Sequence, residues 1–188
     1  MELYTKMNNL NLKLRTIIEN LNLPPKLKED ITIYYNQIKY EKTFSNIFIY
    51  GKSGTGKTVL ALSILIKLLE ERYINQSMDE IQTIINENYL INFPNLLKHA
   101  RNDKINYDGI LNNSILIIDD IGIPKYTEWV YEILYTIINH RYEYSLQTIV
   151  TSNLNVNELI KKMGDDVIVS RIIAQCDITE MKTNYRIK

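Results

Sequence analysis

Residues 51–58 read Gly51-Lys52-Ser53-Gly54-Thr55-Gly56-Lys57-Thr58, which is the pattern G-x-x-x-x-G-K-T of a phosphate-binding loop. The octapeptide follows an apolar run at residues 47–50 and precedes an apolar-periodic segment at residues 59–69. A genuine loop of this kind needs that strand–loop–helix context. Its glycines let successive backbone N–H groups turn towards a phosphate chain, and the following helix adds the positive end of its dipole. We therefore interpret residues 51–58 as a nucleotide-binding site.

Two side chains of the loop carry the chemistry of this site. Lys57 would reach the β- and γ-phosphates of a nucleoside triphosphate, and the Thr58 hydroxyl would hold Mg²⁺. The backbone N–H groups of residues 51–58 would surround the phosphates. The sequence thus predicts a protein that binds a nucleotide together with Mg²⁺.

Length and composition narrow the class of protein. A chain of 188 residues is long enough for one domain with a small appendage. Basic and acidic residues both number 22, so the chain lacks the strongly basic surface that grips nucleic acid by charge alone. The single cysteine, Cys176, excludes a disulfide framework and a multi-cysteine zinc site and suits a reducing cytoplasm. No stretch approaches the length of a membrane span, so we expect a cytoplasmic protein without a membrane partner.

Apolar runs alternate with helix-periodic segments along the chain. The strands are predicted at residues 47–50, 89–93, 115–118, 148–151 and 177–181. The helices are predicted at residues 59–69, from Pro94 onward, at 126–142, at 155–163 and in a short segment through Arg171, with another at 75–88. This alternation predicts a three-layer α/β fold with a mainly parallel, five-stranded sheet. An amphipathic stripe at residues 7–21, ended by a Pro-Pro pair, predicts a helical appendage at residues 1–24 before a domain at residues 25–188.

A pair of acidic residues follows the apolar run at residues 115–118. A buried strand delivers its terminal residues to the carboxyl edge of the sheet, where a phosphate loop also opens. Asp119 would hold Mg²⁺ through water, and Asp120 would orient or deprotonate the attacking water. Asp120 is one methylene shorter than the glutamate commonly used there, so we expect slow hydrolysis.

Two further polar residues stand at the ends of apolar segments. Asn153 follows the run at residues 148–151 and could donate to the γ-phosphate or to the lytic water; a simple turn residue is the alternative. Arg171 lies in an otherwise apolar segment, where a guanidinium needs a partner or an interface. Contributed to the ATP site of a neighbouring subunit, Arg171 would act as an arginine finger; a local salt bridge is the alternative.

The helix predicted after Pro94 supplies candidates for DNA contact. Lys98, Arg101 and Lys104 recur at a spacing that places them on roughly one helix face. Single-stranded DNA binds to such a charged track, although a solvated surface has the same pattern. His99 and His140 lack metal-ligand spacing, and Trp129 is predicted to pack in the core.

In chain order these motifs resemble one family. The motifs G-K-S-G-T-G-K-T, I-L-I-I-D-D-I-G, N-H-R-Y, T-I-V-T-S-N and V-S-R-I are similar to those of the AAA+ ATPase core of DnaC- and DnaI-type helicase loaders and of IstB transposition ATPases. The closing Tyr185-Arg186 also resembles the Y-R near the end of that family. The resemblance covers about residues 27–186 and implies the P-loop AAA+ fold without a helical lid, ATP and Mg²⁺ as ligands, a replicative helicase and single-stranded DNA as partners, and self-association into spirals or rings.

The resemblance also limits the function. Loaders carry an N-terminal helicase-binding domain, where this chain has only residues 1–24 as an appendage. A reduced helicase loader of a phage or mobile element is the leading hypothesis. The alternatives are a transposition accessory ATPase, a nucleotide-gated adaptor or inhibitor of a helicase and, more weakly, a nucleoside kinase.

Overall fold

The computed structural model describes residues 25–29, 32–33, 46–73, 90–102, 107–174 and 176–185. The predicted appendage at residues 1–24 and the predicted helix at residues 75–88 lie outside the described residues. All statements below concern the described part of the chain. None of its helices is long and apolar enough to cross a membrane.

Five parallel strands form one sheet in the order β2-β3-β4-β1-β5. The strands are β1 (Asn46–Tyr50), β2 (Leu90–Asn92), β3 (Ile115–Asp119), β4 (Gln147–Ser152) and β5 (Cys176–Glu180). The helices between them are α1 (Lys57–Tyr73), α2 (Phe93–Ala100), α3 (Tyr107–Asn112), α4 (Glu128–Glu143), α5 (Val156–Met163) and α6 (Val167–Ile173). The predicted five-stranded parallel α/β fold is confirmed, and in the described residues no separate lid follows β5.

The central strands are apolar without interruption because both faces of the sheet are covered. One set of alternate residues packs with α1, namely Ile47, Ile49, Ile115, Ile117 and Ile149. The other set packs with α2, α4 and α6, namely Phe48, Leu116, Ile118 and Val150. A side-chain period of two sends neighbouring residues of a strand to opposite faces. The two cores therefore make a three-layer molecule. Because the strands are parallel, their carboxyl ends all lie at one edge of the sheet.

Most element boundaries differ from the prediction by one to four residues, and caps explain two of these differences. Phe93 is the first residue of α2 rather than the last of a strand, and Pro94 is its second residue, because the Asn92 side chain accepts a hydrogen bond from the Asn95 N–H and caps the helix. Helix α4 begins after Thr127, whose hydroxyl accepts from Val130, rather than at Tyr126. The short helix α3 was not predicted from the sequence.

Arg141 is a fully buried arginine that ties α3, α4 and β4 together. It is 1% exposed, and its Nε donates to the Thr148 hydroxyl at 2.9 Å. Its Nη2 donates to the Gln147 carbonyl at 2.6 Å. Its Nη1 donates to the carbonyls of Ile110, Leu111 and Asn113. Because these carbonyls belong to the end of α3 and the start of β4, the guanidinium satisfies backbone groups that would otherwise be buried without donors.

Replacing Arg141 with methionine should therefore destabilise the fold. Leaving several buried carbonyls without a donor should cost about 3 kcal/mol or more of unfolding free energy, since hydrogen bonds to charged groups contribute roughly 1.5–3 kcal/mol each. Urea unfolding followed by circular dichroism measures the loss. Lys161→Met, at an exposed position of α5, is the control and should stay within about 0.5 kcal/mol of the wild type. Equal stability of the two variants would show that Arg141 is not structural.

Candidate nucleotide-binding site

The phosphate loop connects β1 to α1 and is held by backbone contacts on several sides. The Gly51 N–H donates to the Ser152 carbonyl at the end of the neighbouring strand β4 at 3.1 Å. Gly51 has a φ of +154°, and a Cβ there would collide with the Met181 carbonyl. Gly56 has a φ of +86°, and a Cβ there would crowd the Leu27 side chain at 2.9 Å. These two glycines are therefore required both by their backbone angles and by close neighbours.

The segment after β5 lies against the tip of the loop. The Tyr185 N–H donates to the Gly54 carbonyl at 3.0 Å, and the Asn184 side-chain amide donates to the Ser53 carbonyl at 3.2 Å. Both bonds use carbonyl groups of the loop as acceptors, so they support the loop without occupying any of its N–H groups.

Lys57 is the first residue of α1, and its side chain folds over the loop. Lys57 is only 6% exposed. Its ammonium donates to the carbonyls of Gly51 at 2.8 Å and Lys52 at 3.1 Å. The cation therefore lies beside the loop whose glycines shape an anion-binding turn. Lys52, in contrast, is exposed.

Thr58, at the end of the phosphate loop, and Asp119, at the end of β3, are in direct contact. The Thr58 hydroxyl donates to Asp119 Oδ1 at 2.9 Å across 61 residues of sequence. Asp119 ends β3 on the same face of the sheet that packs against α1, because it continues the series Ile115 and Ile117. A hydroxyl and a carboxylate make an all-oxygen donor pair, which fits Mg²⁺.

Asp120 leaves the strand in a left-handed backbone conformation. Its φ is +63°, which costs a non-glycine residue roughly 1–2 kcal/mol, although aspartate tolerates it better than most. Its N–H donates to the Thr151 hydroxyl at 3.0 Å, and the next N–H, of Ile121, donates to the Thr151 carbonyl at 3.1 Å. The turn after β3 is therefore built on β4.

Asn153 lies directly beyond β4, which the strand order places between β1 and β3 as expected. The structure brings its side chain against the turn that contains the acids: a Cβ at Gly122 would collide with the Asn153 side-chain oxygen and crowd the Ser152 hydroxyl. The Lys162 ammonium donates to the Gly122 carbonyl of the same turn at 2.6 Å. Asn153 is exposed and thus reaches the open edge of the sheet.

Arg171 does not join these residues. It lines a small cavity with Asn46 and Thr148, which stand at the amino ends of β1 and β4. The ends of the five-residue strand β1 are about 13 Å apart at roughly 3.3 Å per residue, so Arg171 lies towards the opposite edge from the loop. Its guanidinium stacks on the Tyr135 ring at 5.3 Å and donates to the Val167 carbonyl at 3.1 Å. No carboxylate of the described residues pairs with it, so the local salt bridge is not formed there.

Two of the three candidates for DNA contact are described. Lys98 and Arg101 are exposed at the end of α2, while Lys104 lies outside the described residues. The Arg101 guanidinium stacks over the Trp129 ring at 5.4 Å. Trp129 is half-buried and packs on the core, as expected.

The histidines and the cysteine do not contribute to this site. His140 contacts the Asn112 side chain at 3.1 Å and stacks on Tyr144, and His99 is exposed on α2. No group of three potential metal-ligating His, Cys, Asp or Glu residues occurs in the part of the chain that the structure describes. Burial raises the pKa of the Cys176 thiol to about 12, so the thiol stays protonated near neutral pH.

Sequence patterns missed several residues around the site. Thr151 on β4 and Lys162 on α5 contact the turn after β3, which contains Gly122, and no spacing rule links these two residues to Asp119. Only Thr151 gave a signal, as a polar residue in an apolar strand that ends at the same edge of the sheet as Asp119.

Comparisons with known proteins identify the family. The family model described as "IstB-like ATP binding protein" matches residues 2–188. The replicative helicase loader DnaI of Bacillus subtilis (strain 168) is 30% identical over 117 residues, which are 60% of this chain and 34% of that protein. The ATP-binding protein of insertion sequence IS232 from Bacillus thuringiensis subsp. berliner is 26% identical over 172 residues, which are 87% of this chain and 64% of that protein. The chain thus spans about a third of the length of DnaI.

Structural similarity agrees with the family model. The crystal structure of the DnaC helicase loader matches with a TM-score of 0.63 and 21% identity, covering 83% of this chain and 90% of that chain. At that identity the match shows the fold alone. The resemblance to DnaC, DnaI and IstB proteins is confirmed: this chain belongs to the family of IstB-like ATP-binding proteins and has the AAA+ fold of the DnaC-type loaders.

Proposed function

We propose that this protein is an ATPase that hydrolyses ATP with Mg²⁺ at an interface between subunits. The observation that carries the proposal is the 2.9 Å contact between Thr58 and Asp119, which joins the phosphate loop to a paired acid at the carboxyl edge of the sheet. Lys57 lies beside the same loop with its charge directed at it. A structural protein would have no need for a lysine, a hydroxyl and a carboxylate that meet at one glycine-shaped loop.

Each residue takes a distinct role in this proposal. The N–H groups of residues 51–58 and the Lys57 ammonium bind the phosphates, while Thr58 and Asp119 would hold Mg²⁺, which when bound neutralises charge on the phosphate oxygens. Asp120 accepts a proton from the attacking water or orients it. Asn153 donates to the γ-phosphate or to that water from the neighbouring strand. Because the shorter Asp120 side chain reaches less far than a glutamate, hydrolysis is slow.

Arg171 completes the site of a second copy of the chain. It lies away from its own phosphate loop, and it stacks on a neutral ring instead of pairing with a carboxylate in the described residues. Because the guanidinium is always charged and no carboxylate of the described residues neutralises it, it is suited to bind an anion on another molecule. ATP at the interface would then hold subunits together, which favours nucleotide-dependent assembly into a spiral or ring.

The relatives support a biological role, which is the finer part of the proposal. DnaI is a replicative helicase loader, and the DnaC structure is that of a helicase loader. We propose that this chain is a helicase loader of the same kind, from a phage or mobile element, whose ATP state controls its contact with a helicase and DNA in the cytoplasm. Residues 1–24 would form the helicase-contacting appendage beside the ATPase domain at residues 25–188.

A transposition accessory ATPase is the second candidate. It is favoured by the IstB-like family model and by the relative from insertion sequence IS232. This candidate predicts binding to duplex DNA and filament formation, whereas a loader binds single-stranded DNA and a helicase. An adaptor or inhibitor gated by nucleotide differs from both, since its function would survive Asp120→Asn.

The exposed end of α2 is our candidate for DNA contact. Lys98 and Arg101 supply positive charge, Lys104 follows in sequence, and the Arg101–Trp129 stack presents planar groups beside that charge. Single-stranded nucleic acid is bound by this combination of cations and aromatic faces.

Nucleotide binding is tested first by two lysine variants of the same loop. Lys57→Met should weaken ATP affinity by about 10-fold or more, because a charged hydrogen bond contributes roughly 1.5–3 kcal/mol. Lys52→Met is the matched control, since Lys52 is an exposed lysine five residues away, and it should bind within about 3-fold of the wild type. Isothermal titration calorimetry measures both, and equal losses would contradict the assignment of Lys57.

The interface site is tested by mixing two inactive variants. Arg171→Ala retains the acids, and Asp120→Asn retains the arginine, so a mixture forms some sites with both groups intact. Phosphate release from the mixture should clearly exceed the sum of the two variants alone. Light scattering with ATP–Mg²⁺ should show assembly of the wild type that weakens in Arg171→Ala. A mixture that only equals the sum would refute the contribution of Arg171 in trans.

DNA contact is tested by the salt dependence of binding. Arg101→Ala should weaken binding to a labelled single strand and reduce the slope of log affinity against log salt by about 0.7, the value for one lost phosphate contact. Lys161→Ala, on α5, is the control and should leave the slope unchanged. Fluorescence anisotropy between 50 and 200 mM salt measures the slopes, and a duplex of the same sequence separates the loader from the transposition candidate. An unchanged slope for Arg101→Ala would refute the proposal that the end of α2 contacts DNA.

A further inference from the structure

One buried hydroxyl touches both acids of the candidate site. Thr151, on β4, is fully buried, with 0% of its surface exposed. Its hydroxyl donates to Asp119 Oδ1 at 2.7 Å and accepts from the Asp120 N–H at 3.0 Å. The first acid is therefore held by its carboxylate and the second by its backbone, from a single side chain on another strand.

The direction of the Thr151 proton follows from hydrogen-bonding capacity. A hydroxyl has one proton to donate, and a backbone N–H can only donate. Since the Asp120 N–H occupies an acceptor position of the Thr151 oxygen, the Thr151 proton is the one shared with Asp119. Thr58 donates to the same carboxylate oxygen at 2.9 Å. Asp119 Oδ1 is thus held by two hydroxyls, one from α1 and one from β4.

Thr151 also controls the turn in which Asp120 lies. Asp120 adopts a left-handed conformation with a φ of +63°. The N–H groups of Asp120 and Ile121, on either side of the Asp120 Cα, are both bound by Thr151, one through its hydroxyl and one through its carbonyl. Because these bonds bracket the residue, they determine the direction in which the Asp120 side chain leaves the backbone.

The strand register makes this contact specific. Strands β3 and β4 pair with Ile117 opposite Ile149 and Ile118 opposite Val150, so the next pair in the same register is Asp119 and Thr151. Asn153 follows two residues later on the same chain segment. A rigid strand thereby links the residue proposed to contact the γ-phosphate with both acids.

We propose that Thr151 is a positioning residue that aligns the metal-side acid, Asp119, with the water-side acid, Asp120. The inference rests on the proposed ATPase function and deepens it. Thr151 is fully buried and bonded to the two aspartates, and it acts through them. Loss of its hydroxyl leaves the loop and Lys57 intact, and therefore changes metal binding and turnover more than nucleotide binding.

The test compares three replacements that separate the hydroxyl from the shape of the side chain. Thr151→Val keeps the shape and removes the hydroxyl, Thr151→Ser keeps the hydroxyl, and Thr151→Ala removes the hydroxyl without the bulk of valine. Thr136→Val is the matched control, because the Thr136 hydroxyl is exposed and bonds only to the Glu132 carbonyl in its own helix. Circular dichroism melting identifies a temperature at which every variant is folded, and all measurements are made there.

The primary measurement is metal binding in the presence of a non-hydrolysable ATP analogue. Electron paramagnetic resonance of Mn²⁺ gives the affinity of the metal, and nucleotide affinity in EDTA gives the metal-free reference. Thr151→Val and Thr151→Ala should weaken Mn²⁺ binding by about 5-fold or more while nucleotide affinity in EDTA stays within about 3-fold, and Thr151→Ser should match the wild type. If the wild type hydrolyses ATP, kcat should fall by about 10-fold or more in the two variants without the hydroxyl, with a smaller change in KM.

The outcomes separate this inference from the proposed function. Wild-type binding of ATP and Mn²⁺ without any hydrolysis would refute the ATPase proposal, yet the Mn²⁺ affinities would still decide the role of Thr151. Wild-type behaviour of Thr151→Val and Thr151→Ala would refute the inference alone. Equal impairment of Thr151→Ser and Thr151→Val would also refute it, because the methyl group rather than the hydroxyl would then be responsible.

Discussion

The parallel pairing of β3, β4 and β1 is the constraint on which the rest of the structure depends. These three strands are buried on both faces, and their register aligns Ile117, Ile149 and Ile47 in one row. Since all three run in the same direction, the residues that follow their carboxyl ends arrive at one edge of the sheet. The phosphate loop, the paired acids and Asn153 are these residues. A shift of one residue in β4 would send the Thr151 hydroxyl to the opposite face and break its contact with Asp119.

Two arginines of this protein illustrate how surroundings decide the role of one residue type. Arg141 is enclosed and donates to several backbone carbonyls, so its charge is used to hold elements together. Arg171 is half-exposed, stacks on a tyrosine and has no carboxylate partner in the described residues. Buried guanidinium groups with many acceptors stabilise a fold, whereas an incompletely paired group at a surface suits recognition of an anion. The sequence analysis singled out Arg171 as a basic residue in an apolar segment and gave Arg141 only within the motif N-H-R-Y, so the contacts in the structure distinguish their roles.

The sequence predicted the elements well where their physical cause is local. Apolar runs of four or five residues predicted the strands, and the glycine-rich octapeptide predicted the turn between β1 and α1. Element boundaries were predicted less accurately, because the cap at Asn92 and the cap at Thr127 depend on single side-chain bonds. Helix α3 escaped prediction since six residues that include a glycine carry little periodicity, and this helix ends at carbonyls that Arg141 binds from a distant part of the chain.

What the sequence by itself determined is the set of chemical groups: a phosphate loop with Lys57 and Thr58, two consecutive acids, an asparagine after a strand and an arginine in an apolar helix. These follow from short-range patterns, because glycine angles and strand periodicity act over a few residues. Only the tertiary structure decided which groups meet. It brings Thr58 to Asp119 across 61 residues and Thr151 to both acids across about 30, and it leaves Arg171 near the opposite edge of the sheet. The reason is that strand order and register arise from packing over the whole sheet, which no local spacing encodes.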